Sequence, residues 1–176
     1  MFLRRLTPDL ELRLLQSNDA PALFAVVEEN RRSLREWLAW VDGLKTLVDA
    51  QKFIADARRD YEETQAFVAG IWSQGALVGA IGHNRIDWTN RMANPGWWLV
   101  PSAQGKGIMT QSCRAVFAHA FDELGLSRIC VGVATQNVKG QAFVTRLGFK
   151  QLSVLRNAEV LGNRPVDHII YGLSRS

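Results

Sequence analysis

The spacing of hydrophobic positions changes twice along this chain, and each change marks a change of element. Residues 10–15, LELRLL, alternate apolar and charged side chains, the period-two pattern of a strand with one buried face. Asn18 and Asp19 then stand where a helix cap belongs, with Pro21 in the first turn and ALFAVVEEN carrying the helix onward. A second helical stretch is predicted over SLREWLAW (33–40). A third is predicted over DAQKFIADARRDYEE, where Phe53, Ile54 and Ala57 fall on one side and charges on the other. From residue 66 the period shortens. AFVAGIW (66–72), ALVGAIGHNRID (76–87) and NPGWWLV (94–100) read as strands, with SQG (73–75) as a turn between the first two. Helical spacing returns at Cys113, Val116, Phe117, Ala120, Phe121 and Leu124, and Gly125 is a natural residue to end it. RICVGVA (128–134) is a strand, NVKGQAFVTRLGF (137–149) a helix, and two more strands flank LGNRP. Helices at the front, a meander, then β–α–β–α–β–β make a mixed α/β (α+β) domain, not a doubly wound one. No repeat, low-complexity tract or linker interrupts it, so residues 1–176 are read as one domain.

Composition narrows the class. With 47% hydrophobic and 22% charged residues the chain is of ordinary globular make-up, which argues against disorder. A net charge of +4 suits an acidic small molecule or acidic surface and is too small to argue for nucleic acid. The basic pairs Arg4–Arg5, Arg31–Arg32 and Arg58–Arg59 read as solvated faces, although Arg31, Arg32 and Arg35 together could meet an acidic partner. Cys113 and Cys130 have no C-x-x-C spacing and no histidine partner, which argues against zinc and against a disulfide framework. No run of about 18 apolar residues exists, and Met1 leads into Arg4, Arg5 and Pro8 without a signal-type core. A soluble cytoplasmic protein is expected.

The candidate chemistry begins at WWLVPSAQGKGIMTQS (97–112), where an apolar strand runs through Pro101 and two glycines into a helix. The spacing does not fit G-x-x-x-x-G-K-[ST]. It fits a dinucleotide loop poorly, because Thr110 stands at the third glycine position and Thr135, Gln136 and Asn137 stand where an acid belongs. Two readings remain open: a diphosphate held by amides at the helix start, or a tight turn that binds nothing.

Further residues carry a resemblance. Gln104-Gly105-Lys106-Gly107-Ile108-Met109, followed by Asn137 and RLGF (146–149), resembles the GCN5-related N-acetyltransferase (GNAT) superfamily signature. GWWLVPSAQGKGIMTQS together with RNAEVLGNRPVDHIIYGL is similar to the branch that acetylates the N-termini of ribosomal proteins, the Rim type. The resemblance implies a mostly antiparallel twisted sheet flanked by helices and splayed at an acetyl-CoA site. It implies that backbone of Leu99 and Val100 pairs with the pantetheine arm, and that amides of Gln104, Gly105, Lys106, Gly107, Ile108 and Met109 hold the diphosphate, with Thr110 adding a hydroxyl. Lys106 is either a phosphate contact or a solvated lysine, and Asn137 a cofactor contact, a helix cap, or both. Trp37 and Trp40 are placed beside the acceptor cleft, with ordinary helix packing as the other reading.

Acetylating an amine requires a neutral amine. An α-amine, with a pKa of about 7.7–8.0, loses its proton at neutral pH for about 1 kcal/mol, against about 4–5 kcal/mol for lysine. A single carboxylate therefore suffices as base, and the branch places it at Glu159. The usual proton donors are missing. The branch commonly has Ser three residues after the motif Asn, where this chain has Gly140, and other acetyltransferases use Tyr where this chain has Val144. Water could replace them, and Tyr171 is either a recruited donor or core. His83, His119 and His168 lack metal-ligand spacing, so no metal is expected. Trp97 and Trp98 point to opposite faces of one strand, so at least one belongs to the core. The reading is an acetyl-CoA-dependent N-acetyltransferase acting by direct attack in a ternary complex, with a ribosomal-protein N-terminus as favoured acceptor. A small amine (amino acid, polyamine or aminoglycoside) or a non-catalytic acyl-CoA-binding module are the alternatives. No nucleic acid or membrane partner is expected, and a homodimer only by analogy.

Overall fold

The computed structural model describes residues 2–175. Eight strands and four α-helices follow in the order β1 (Leu3–Thr7), β2 (Leu10–Leu14), α1 (Ala20–Leu34), α2 (Leu47–Glu62), β3 (Phe67–Ser73), β4 (Ala76–Asp87), β5 (Met92–Leu99), α3 (Ile108–Ala118), β6 (Arg128–Ala134), α4 (Val138–Arg146), β7 (Lys150–Leu161) and β8 (Arg164–Ser174). The strands form one sheet in the order β1-β2-β3-β4-β5-β6-β8-β7. Every pairing is antiparallel except β5 with β6. The mixed, mostly antiparallel architecture expected from the sequence is thus the one observed.

The two faces of the sheet are covered by different helices, and β5 shows how. Trp97 meets Phe117 of α3 and Phe143 of α4 edge-on, with ring centroids 6.4 and 5.9 Å away. Trp98, on the opposite face, lies 6.0 Å from Trp40, which in turn stacks on Phe53 of α2 at 5.8 Å. Adjacent residues therefore anchor two separate core layers, as alternation in a strand requires. Trp98 is buried and Trp97 half-buried. Leu12, Leu23, Ile54, Ile71, Ile81 and Ile129 are among the large side chains that lose nearly all contact with water. Burying each contributes about 1.5–3 kcal/mol.

Helix boundaries depart from the sequence reading where side chains reach across the fold. Asp19 occupies the N-cap position of α1 but makes no side-chain cap bond. Its carboxylate accepts instead from the Gln16 amide at 2.7 Å and from Arg13 at 2.7 and 3.1 Å. Burial works to raise its pKa, but the Arg13 and Gln16 hydrogen bonds outweigh burial and leave it below the usual carboxylate range. The helix expected over SLREWLAW does not form as one piece. Helix α1 ends at Leu34, and a short 3-10 turn runs from Ala39 to Gly43. Arg31 explains the corner: its guanidinium donates to the carbonyls of Val41 and Leu44, tying the following segment back over the helix. Arg35 pairs with Asp42 at 3.1 Å, so two of the arginines considered for an acidic partner serve the fold. Helix α2 starts at Leu47, ahead of the expected stretch, because Thr46 and Asp49 form a reciprocal capping box. Strand β1 was not anticipated, and after Ala118 helix α3 continues through a wider π turn over His119–Glu123. No helix among the described residues is long and apolar enough to cross a membrane.

Candidate active site

Strands β5 and β6 pair only at their beginnings, Met92 with Arg128 and Ala93 with Ile129. Asn94 extends the contact by donating to the Cys130 carbonyl at 3.1 Å. Beyond that point the strands diverge, and β5 presents one edge to open space while β4 pairs with the other as far as Leu99. Val100 donates its N–H to the Val78 carbonyl at 2.9 Å, and its own carbonyl accepts from Ala103 at 3.0 Å. The expected pairing of a pantetheine arm with Val100 is therefore corrected, because its amide is already committed to the sheet. Alternation along an antiparallel edge turns the amides of Leu99 and Trp97 the other way, into the gap.

A cleft of about 620 Å³ opens from this divergence. Of the residues anticipated from sequence, Leu99, Gln104, Gly105, Gly107, Ile108, Met109, Thr110, Asn137 and Trp37 line it. Val100, Lys106, Trp40 and Glu159 are not part of its lining. Trp40 is instead packed between Trp98 and Phe53, the ordinary packing considered for it. Sequence reasoning missed Glu36, the one carboxylate among the lining residues, and Lys139, Phe143 and Arg146 on α4. The last three sit at i, i+4 and i+7, one helical face, which was the available signal.

The glycine loop ends with Gly107 at φ 74°, the N-cap of α3, with no side-chain cap bond. The amides of the first turn thus point outward without a side chain over them, at the end of a helix that favours negative charge. A Cβ on Gly105 would meet nothing within 4 Å, so the loop is open on that side. Gln104 spans from the loop to β5, donating to the Leu99 carbonyl at 3.0 Å. This donor set fits a diphosphate followed by an arm that takes main-chain hydrogen bonds from β5.

Asn137 is the N-cap of α4, its Oδ1 accepting from Gly140 N–H at 2.9 Å. It caps the helix, and it also lines the cleft. Gly140 lies beneath it: a Cβ there would sit 2.8 Å from Asn137 Nδ2 and 3.0 Å from Oδ1. Tyr171 is buried and lies outside the cleft lining. Glu159 lies on β7 with its Oε2 3.2 Å from His168 Nε2 on β8. His83 is fully buried, with no hydrogen-bond partner on either ring nitrogen among the described residues. Burial, with a smaller contribution from His119, pushes its pKa down to about 4. No group of three or more His, Cys, Asp or Glu among the described residues is arranged to hold a metal ion.

A family model described as an acetyltransferase (GNAT) domain matches residues 9–150. YdaF of Bacillus subtilis (strain 168), named as a candidate ribosomal N-acetyltransferase, is 30% identical over 98% of this chain and 95% of its own. The ribosomal-protein-serine acetyltransferase of Escherichia coli (strain K12) is 26% identical over 95% of this chain and 93% of its own. Among solved structures, RimL, a ribosomal L7/L12 alpha-N-protein acetyltransferase in complex with coenzyme A, superposes with a TM-score of 0.94 at 25% identity, covering 98% of each chain. The microcin C7 self-immunity acetyltransferase MccE, in complex with acetyl-CoA and AMP, gives 0.91 at 25% identity over 97% of this chain and 94% of its own. A splayed sheet, an uncapped helix start behind Q-G-K-G, and matches running nearly end to end agree: the chain belongs to the GNAT acetyltransferase family.

Proposed function

We propose that this acetyltransferase moves the acetyl group of acetyl-CoA to the N-terminal α-amine of a protein, with a ribosomal protein as the favoured acceptor. The observation that carries the reading is the cleft at the β5–β6 divergence. Its cofactor wall comes from the glycine loop, and its opposite wall, including Trp37 and Glu36, comes from the segment that Arg31 ties down. The names of the end-to-end relatives supply the acceptor class. The N–H groups of Leu99 and Trp97 bind the pantetheine arm, and the amides from Gly105 to Thr110 bind the diphosphate. Glu159 receives the proton of the ammonium, directly or through one water. The neutral amine then attacks the thioester carbon as the carbon–sulfur bond breaks, and water protonates the departing thiolate, since Gly140 brings no hydroxyl.

A small-amine acceptor is the competing reading, favoured by the partly enclosed cleft and by MccE, whose complex contains AMP. Purified protein, acetyl-CoA and a panel of N-terminal peptides and small amines decide between them by thiol release and product mass. Acetylated peptide is expected. Turnover confined to small amines would overturn the acceptor assignment and leave the chemistry standing.

A further inference from the structure

Among the described residues, the side-chain partner of Glu159 is His168, with Nε2 3.2 Å from Oε2 and both groups partly buried. The fold makes room for this contact. A Cβ on Gly132 of β6 would lie 2.7 Å from His168 Nδ1 and 3.4 Å from Ile170 Cδ1, so the strand beneath the ring has given up a side chain there. The β7–β8 pairing shifts register between Leu155 and Glu159, with Asn157 at φ 49° and its N–H held by Asp167 Oδ1 at 2.8 Å. A register shift of this kind re-aims the side chains that follow it.

The pair also stands at a meaningful place. Counting forward from the parallel register of Met92 with Arg128 and Ala93 with Ile129, Trp98 falls level with Ala134, and Ala134 pairs with His168. Trp98 and Ala134 flank the gap beyond the Asn94–Cys130 contact, so His168, paired with Ala134, stands one strand beyond it. It lies on the face that carries Trp98, against which Trp40 packs; Trp98 lines the cleft together with Ser33, Leu34, Glu36, Trp37 and Leu38.

We infer that His168 is the positioning residue for the base: its Nε2–H holds one oxygen of Glu159, so that the other oxygen is presented to the acceptor amine. The inference rests on the reading of Glu159 as base. An ionised carboxylate only accepts hydrogen bonds, so the contact requires the ring proton on Nε2. The ring keeps that proton throughout. The amine nitrogen loses two protons in becoming an amide. Glu159 takes the first and passes it to solvent, and the second ends on the thiolate as the nitrogen–carbon bond replaces the carbon–sulfur bond. Glutamate is a long side chain, and without the ring it spreads over several rotamers. Misplacing a catalytic group by about 1 Å costs up to about 100-fold in rate.

The test compares His168→Gln, His168→Leu, Gly132→Ala and Glu159→Gln. Glutamine places an N–H donor near the position of Nε2, so His168→Gln is expected to keep kcat within about threefold of wild type. His168→Leu is expected to lose about 10- to 100-fold in kcat with KM for acetyl-CoA unchanged. Gly132→Ala, which displaces the ring without altering it, falls between them. In a Glu159→Gln background, His168→Leu adds little further loss, because the two residues act as a unit. A proton–nitrogen spectrum of the ring reads the contact without turnover: the Nε2–H signal is shifted downfield and exchanges slowly with water in wild type, and loses both features in Glu159→Ala, which removes the acceptor. Equal losses in His168→Gln and His168→Leu, full additivity with Glu159→Gln, or an Nε2–H signal unchanged in Glu159→Ala would each overturn the role of His168 while leaving the base in place. A Glu159→Gln enzyme as active as wild type overturns the base assignment itself.

Discussion

Gly107→Ala isolates what the glycine loop asks of its backbone. Gly107 caps α3 at φ 74° and ψ 0°, in the left-handed region. A Cβ built there comes no nearer to another group than 3.9 Å, from Gln111 Nε2, so steric crowding contributes nothing. The cost is conformational, about 1–2 kcal/mol for an L-residue held left-handed. For a chain of this size each kcal/mol lowers Tm by about 2–4 °C, so a fall of about 2–8 °C is expected in thermal melts. Affinity for CoA, measured by calorimetric titration, separates two ways of accommodating the alanine. If the loop keeps its shape, the stability loss is full and CoA affinity stays within about twofold of wild type, because the Cβ points into open space. If the loop relaxes to negative φ, the stability loss shrinks, the first-turn amides are re-aimed, and affinity falls at least about tenfold. Gly107→Asn, whose side chain tolerates the left-handed region, recovers part of either loss. An alanine variant with both wild-type stability and wild-type CoA affinity would sink the reading of this loop as an anion cradle.

Three further outcomes follow from single positions. The folded state keeps His83 neutral down to about 4, whereas the unfolded chain protonates it below 6.5. Its stability is therefore full above that window and lost as pH falls through it, by up to about 3 kcal/mol. Urea denaturation of His83→Leu between these limits is expected to show a shallower pH dependence than wild type, and equal slopes would refute the account. Gly140→Ser brings a Cβ within 2.8 Å of Asn137 Nδ2 and is expected to dislodge the cap, costing about 1 kcal/mol of stability. It also places a hydroxyl in the cleft, so turnover is expected to rise in a thiol-release assay, and unchanged turnover would mean the thiolate needs no protein donor. Glu36→Lys reverses the one carboxylate among the cleft-lining residues and is expected to raise KM for an N-terminal peptide a few-fold while leaving KM for acetyl-CoA alone. A rise in both would place Glu36 on the cofactor side.

Local pattern alone placed most of the sheet, and the strands it placed best were those with turn residues at both ends. The readings of 76–87 and 128–134 coincide with β4 and β6 to the residue, because alternation and flanking breakers are local properties of the chain. The open helix start behind Gly107 and the capping role of Asn137 were legible for the same reason. What failed depended on distant partners. Helix α1 stops at Leu34 because Arg31 bonds carbonyls ten and thirteen residues onward, and no helical period reports that. Val100 looked as free as Leu99 until its amide was found on Val78, a strand away. The cleft itself is a failure of two strands to stay paired, and each strand reads normally in isolation. The contact between Glu159 and His168 exists only because a hairpin with a register shift brings them face to face over Gly132. Periodicity encodes which side of an element is buried. Which elements then part, and what is left facing the space between them, is set by non-local pairing and packing, and only the tertiary structure decides it.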